Sequence, residues 1–180
     1  MDDMLTPDSQ WTWYLDTETS ALGLNLSNRW FFQTAYTAKQ LNNNVESRPF
    51  SAEDCQYYME AVESLLALNS TLTSAECMQI ALNATAYYCF GKELSPKSWY
   101  FDQHIPRQDE LRLASLVANG AIANVFIVEQ QGDFTVCLTL MTIKTKSGKA
   151  LETFSPVKVS NQLLNATNLF ESPEHFIKRA

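Results

Sequence analysis

A change of period constrains this chain more than any single motif. Between Ser51 and Phe90 the apolar residues recur at helical spacing. From Leu111 to Leu164 they alternate, as half-buried strands do. Residues 102–110, polar and holding Pro106, separate the two regimes. The expectation is an α+β fold. An N-terminal α/β unit (1–101, an antiparallel meander plus a helical hairpin) leads through a linker (102–110) to a small C-terminal β-barrel-like unit (111–164) and a tail (165–180).

The first half is the more legible. Trp11 to Asp16 reads as a strand. Leu22, Leu24 and Leu26 alternate with Gly23 and Asn25, a second strand, and Arg29 to Ala35 is an aromatic third. Residues 42–49 read as a loop. Ser51-Ala52-Glu53-Asp54 and Thr73-Ser74-Ala75-Glu76 each have the form of a helix capping box. The first predicted helix buries Cys55, Tyr58, Met59, Val62, Leu65 and Leu66. The second buries Cys77, Ile80, Ala81, Ala84, Tyr87 and Tyr88, and Gly91 stops it. The short link at 69–72 makes the pair antiparallel. Beyond the linker, five strands are expected over 111–117, 122–129, 134–144, 150–154 and 157–164, with turns at Gln131-Gly132-Asp133 and Lys146-Ser147-Gly148-Lys149.

Charge and composition exclude several functions. The chain is 46% apolar, enough for a core, and carries a net charge of -7. Residues 1–101 hold 5 Lys+Arg against 12 Asp+Glu, whereas residues 102–180 hold 8 of each. Nucleic acid and anionic membranes would meet net repulsion. The acidic N-terminus lacks the apolar segment of a signal peptide, and no apolar run nears the ~18 residues of a membrane helix. A cytoplasmic protein is expected. Cys55, Cys77, Cys89 and Cys137 are widely spaced without a C-x-x-C pair, which predicts reduced thiols and no metal. His104 and His175 neighbour no serine or cysteine in a nucleophile setting, and five glycines form no phosphate loop. No catalytic residue and no cofactor are expected.

Two lysines stand out. Lys92 and Lys97 are the only lysines between Lys39 and Lys144, and Lys97 opens Lys97-Ser98-Trp99-Tyr100-Phe101 behind Pro96. One reading is a turn that feeds an aromatic strand into the core. The other is a cationic knob beside exposed aromatics that grips a protein partner.

The sequence resembles the Z-ring-associated protein C family of bacterial cell division. The resemblance is carried by Trp11-x-Trp13-Tyr14-x-Asp16, the Leu22/Leu24/Leu26 strand, Phe50-Ser51-x-x-Asp54, Leu82-Asn83-Ala84 and Lys92 through Pro96-Lys97-Ser98-Trp99-Tyr100-Phe101, in family order over residues 11–101. It implies a cytoplasmic, non-enzymatic protein at midcell. Such a protein binds the tubulin-like GTPase FtsZ, promotes lateral association of its filaments and stabilises the Z-ring, acting as a monomer or with weak self-association. Matched by position, Leu24, Lys92 and Lys97 are its partner-binding residues, and Trp99 adds an aromatic anchor. The family's basic residue near the end of the second unit has no counterpart in Asn161-Gln162-Leu163-Leu164. The alternative is a β-domain that holds a small ligand or peptide beneath a helical cover.

Overall fold

The computed structural model describes residues 4–42, 45–68 and 70–168; His175 and most of the expected tail lie outside them. The chain runs β1 (Thr12–Leu15), β2 (Ala21–Asn25), β3 (Phe31–Thr37) and β4 (Arg48–Pro49), then α1 (Ala52–Ala67) and α2 (Ser74–Phe90). There follow β5 (Leu113–Ala118), β6 (Ala121–Gln131), β7 (Phe134–Thr139), β8 (Ile143–Lys144), β9 (Ala150–Leu151), β10 (Pro156–Ser160) and β11 (Asn165–Ala166). The fold is α+β with antiparallel sheets. One is four-stranded, β3-β2-β1-β4, one five-stranded, β10-β7-β6-β5-β11, and β8-β9 is a separate ribbon.

The expected meander is present, with one addition. Arg48–Pro49, read as loop, is a fourth strand on the far side of β1. Two residues are too few to show a period. Both capping boxes form as their sequences dictate: Ser51 and Asp54 exchange bonds at the start of α1, and Thr73 and Glu76 do so at α2. The buried face of α1 keeps Tyr58, Val62 and Leu65 as expected but is turned toward one side of the helix. Asp54, Tyr57 and Ala61 are inside, whereas Leu66 is exposed. α2 is buried almost all round, from Ile80 to Tyr87, because it lies between α1, the four-stranded sheet and β6. Its alanines allow that close approach. Its buried Asn83 accepts the Ala35 backbone N–H at the edge strand β3 at 2.8 Å. Gly91 ends α2, but in extended backbone rather than a left-handed cap. A Cβ there would lie 2.5 Å from the Tyr87 carbonyl oxygen, so close approach, not φ, demands glycine.

The expected barrel-like unit is an open, curled sheet. The long strand expected over 134–144 breaks after Thr139, and Ile143–Lys144 turns aside to pair with β9. Residues 165–166, read as tail, form the edge strand β11 against β5. Ser160 ends one edge strand and Asn165 begins the other. Five residues reach at most about 17 Å, less than the roughly 19 Å that four interstrand gaps span in a flat sheet, so the sheet must roll up. The remaining gap is bridged by residues 97–102. Lys97 N donates to Lys158 O at 2.8 Å, Ser160 N to Ser98 Oγ at 3.0 Å, and Asp102 N to Val117 O at 2.7 Å. Phe101 drops into the core of the curled sheet among Leu116, Val125 and Val159.

The halves are joined at a β-bulge. Register shifts between Ile127 and Glu129 leave Val128 unpaired in the β6–β7 ladder. Its carbonyl instead accepts the Tyr57 hydroxyl of α1 at 2.8 Å. Arg112 donates to that hydroxyl at 2.6 Å and lies over the Tyr57 and Phe126 rings. Leu113, Phe126 and Leu138 thereby enter the same core as Trp11, Trp13 and the helices.

The most connected polar group is the buried Asp54 carboxylate. It accepts Trp13 Nε1 of β1 at 2.9 Å, Arg48 Nη1 of β4 at 2.7 Å, Ser51 N at 2.9 Å and the Cys89 thiol of α2 at 3.1 Å. Burial alone would raise its pKa, but the Arg48 guanidinium and the Ser51, Cys89 and Trp13 donors outweigh burial and hold it at about 2. Burial and this carboxylate push the Cys89 thiol up, so it stays a donor. A depressed folded-state pKa contributes stability above the ordinary carboxylate range, and that contribution is lost as pH falls through about 2. Asp54→Asn is therefore expected to destabilise the fold by about 2–3 kcal/mol at neutral pH and to flatten the loss of stability between pH 4 and pH 2 that the parent shows. Urea melts across that range measure both effects, and an unchanged slope refutes the assignment.

Candidate protein-binding surface

Three features of the surface stand apart from the rest. The first is an apolar groove in the N-terminal half, with a volume of about 510 Å³, lined by Trp11, Leu26, Trp30, Phe31, Phe32 and Met78 among others. Trp30 is 73% and Phe31 67% exposed. They follow a 3-10 turn (Ser27–Arg29) in which Asn28 and Arg29 have positive φ. That turn sets the start of β3 beside the N-terminal end of α2, where Ala75 and Met78 form the opposite wall. Sequence reading placed this aromatic run in a strand but not in a site. In an alternating strand, adjacent Trp30 and Phe31 cannot both face the core, and that was the available signal.

Leu24 lies under this groove, not in it. It is fully buried. Its cross-strand neighbours are Phe32, a groove wall, on β3 and Trp13 on β1, and Trp13 is in turn opposite Arg48. One row of side chains thus runs from the groove through Leu24 to the Asp54 carboxylate.

The second feature is the region around Lys92. Lys92 N donates to Gln40 O, and its Nζ donates to Lys39 O at 2.9 Å. Beside it is a polar cleft of about 380 Å³ lined by Tyr88, Glu93, Glu129 and Gln131 among others. The third is the Lys97–Phe101 segment. Ser98–Tyr100 is a 3-10 turn rather than a strand, which splits the aromatics. Phe101 goes to the core, whereas Trp99 stays 60% exposed with Lys97 Nζ 4.8 Å above its ring. Lys92 and Lys97 are held by different elements, Lys92 by the 39–40 turn and Lys97 by β10. Among the described residues no carboxylate pairs with either.

Groups of three or more His, Cys, Asp or Glu placed to hold a metal are absent among the described residues. Cys77 and Cys137 are buried, Cys55 and Cys89 half-buried, and all four are free. His104 is exposed, and its Nδ1 accepts the Ile105 N–H. Among the described residues no helix is long and apolar enough to cross a membrane.

Comparison with known proteins identifies the family. Residues 4–92 match the family model for the N-terminal part of cell-division protein ZapC, and residues 93–168 match that for its C-terminal part. The cell division protein ZapC of Xenorhabdus bovienii (strain SS-2004) is 31% identical over 168 residues, covering 89% of this chain and 90% of that one. That of Pseudoalteromonas atlantica is 31% identical over 167 residues, covering 89% and 93%. That of Proteus mirabilis (strain HI4320) is 26% identical over 181 residues, covering 97% of each. With two adjoining family models spanning residues 4–168 and relatives of this similarity, the chain belongs to the ZapC family of cell-division proteins.

Proposed function

We propose that this protein is a non-enzymatic, cytoplasmic adaptor that binds FtsZ, promotes lateral association of its filaments and stabilises the Z-ring at midcell. Family membership supplies the process. The observation that carries the mechanism is Trp99, exposed on a rigid turn with the Lys97 cation over its ring. A large aromatic kept out of the core beside an unpaired charge is the composition of an interface anchor. The groove at Trp30 and Phe31 supplies a second, apolar anchor. Net charge disfavours long-range attraction to an acidic filament, so affinity rests on these local contacts.

The four site residues then take different parts. Lys97 and Trp99 touch the partner, and Lys92 provides a second cation. Leu24, being buried, acts by supporting Phe32 and the groove. A second reading, capture of a small ligand or peptide by the C-terminal sheet, is favoured by one observation. The buried Asn165 Oδ1 has no hydrogen-bond partner and borders a groove of about 650 Å³ between residues 104–109 and β5.

Lys92→Asp with Lys97→Asp is expected to lower co-sedimentation with FtsZ filaments at least a hundredfold in affinity, because two attractions become like-charge contacts. Its Tm should stay near the parent value, because surface changes shift stability by about 0.5 kcal/mol or less. Parent-like pelleting of this variant refutes the contact role. Leu24→Ala is expected to do the reverse in kind, costing about 3 kcal/mol of stability by opening a core cavity and weakening binding only as the groove loosens. Leu24 has a direct contact role instead if that variant melts like the parent yet fails to pellet.

A further inference from the structure

We propose that the β8–β9 hairpin and the Lys97–Trp99 segment form one cationic ridge that grips an acidic protein surface. The inference rests on the FtsZ reading above and adds residues to it. Lys144, Lys146 and Lys149 fall within six positions, in a chain whose net charge is -7. All three are exposed. Of these three, Lys146 alone pairs with a carboxylate among the described residues, Asp102 at 3.1 Å. Lys144 and Lys149 therefore keep their charges available.

The hairpin is held rigidly, which suits it to present charge rather than to merely connect strands. The buried Thr145 donates through both its N–H and its hydroxyl to Lys149 O, at 2.8 and 2.9 Å. Its hydroxyl also lies 2.9 Å from Ser147 Oγ, and Gly148 N donates to Thr145 O at 3.0 Å. Gly148 has φ +86°, a conformation other residues adopt only with strain. From the neighbouring turn, Asn119 Nδ2 donates to the carbonyls of Lys144 and Thr145. Little conformational entropy remains to be lost there on binding.

The hairpin is also tied to the proposed anchor. Lys146 N donates to Tyr100 O at 2.9 Å, and Trp99 packs edge-on against the Tyr100 ring at 5.8 Å. Asp102, one residue beyond Phe101, accepts both Lys146 Nζ and Asn119 N. Lys97, Lys144 and Lys149 are thus carried on two segments stitched to each other around Trp99. Residues 1–101 hold 12 acidic against 5 basic residues, so cationic surface is scarce on this chain and is concentrated at this corner. Such an arrangement fixes the orientation of docking more than its strength. The ridge is built against the C-terminal sheet and the Trp30–Phe31 groove on the four-stranded one, so one molecule presents two surfaces, as the bridging of two filaments requires.

The test compares co-sedimentation of four proteins with FtsZ filaments: the parent, Lys144→Gln/Lys149→Gln, Lys144→Glu/Lys149→Glu, and a control, Thr17→Glu/Thr71→Glu. The control changes net charge as much as the Gln pair does, but at exposed sites elsewhere. The Glu pair is expected to weaken binding about tenfold or more and the Gln pair about threefold, with the control within about twofold of the parent. All four should share one Tm. If the parent pellets and the Glu pair pellets equally, the ridge is refuted and the FtsZ reading stands. A control as weak as the Gln pair refutes the ridge too, since net charge alone then explains the loss. If the parent itself does not pellet, the FtsZ reading falls and takes the ridge with it.

Discussion

Everything in the N-terminal half is arranged around one buried carboxylate. Asp54 ends no chain of bonds; it collects them, from a strand indole, an edge-strand guanidinium, a helix-capping amide and a helix thiol. A buried carboxylate is costly to desolvate and stays ionised only when its acceptor sites are filled. Meeting that demand forces β1, β4, α1 and α2 into a single relative placement. The capping box, usually a local device, here serves a tertiary one. The Trp13–Leu24–Phe32 row extends the same constraint outward, so the floor of the apolar groove is set by a charge at the opposite end of the sheet.

The second half depends on that placement through the bulge. In a regular ladder the Val128 carbonyl would face a strand partner; the extra residue frees it for Tyr57 and Arg112. Arg112 is held between two aromatic rings, where guanidinium stacking and hydrogen bonding act together. Tyr36 repeats the pattern at another point, donating its hydroxyl to Phe154 O at 3.0 Å. Both links run from a tyrosine to a main-chain carbonyl, so the joint depends on backbone shape as much as on side-chain identity.

Legibility followed the range of the physics involved. The two helices could be read because caps and periodicity are local, and both capping boxes formed as written. The helix faces were read less well. Tyr57 and Asp54 are buried because of partners 71 and 41 residues away, Val128 and Trp13, which no window of sequence contains. Strand β4 was missed because it is two residues long, and the 134–144 strand was overdrawn because β-branched composition continues through the break at Leu140. Within the candidate site, Lys97 and Trp99 were visible from their isolation in the chain. Leu24 was picked out by family position, and only the fold shows that it is buried, opposite Phe32. Trp30 and Phe31 were seen as a strand and not as a surface, since exposure depends on what the helices leave uncovered.

The closure of the curled sheet by residues 97–102 sets an order on biosynthesis. That segment leaves the ribosome before any of the strands it bridges, and its partners Lys158 and Ser160 follow roughly 60 residues later, some seconds at ordinary elongation rates. Until then the turn that carries Trp99 lacks its bonds to Lys158 and Ser160, and Phe101 lacks Val159 beside it. The turn therefore reaches its final shape only once β10 has been made, and a copy lacking β10 would carry Lys97 and Trp99 without the bonds that place them.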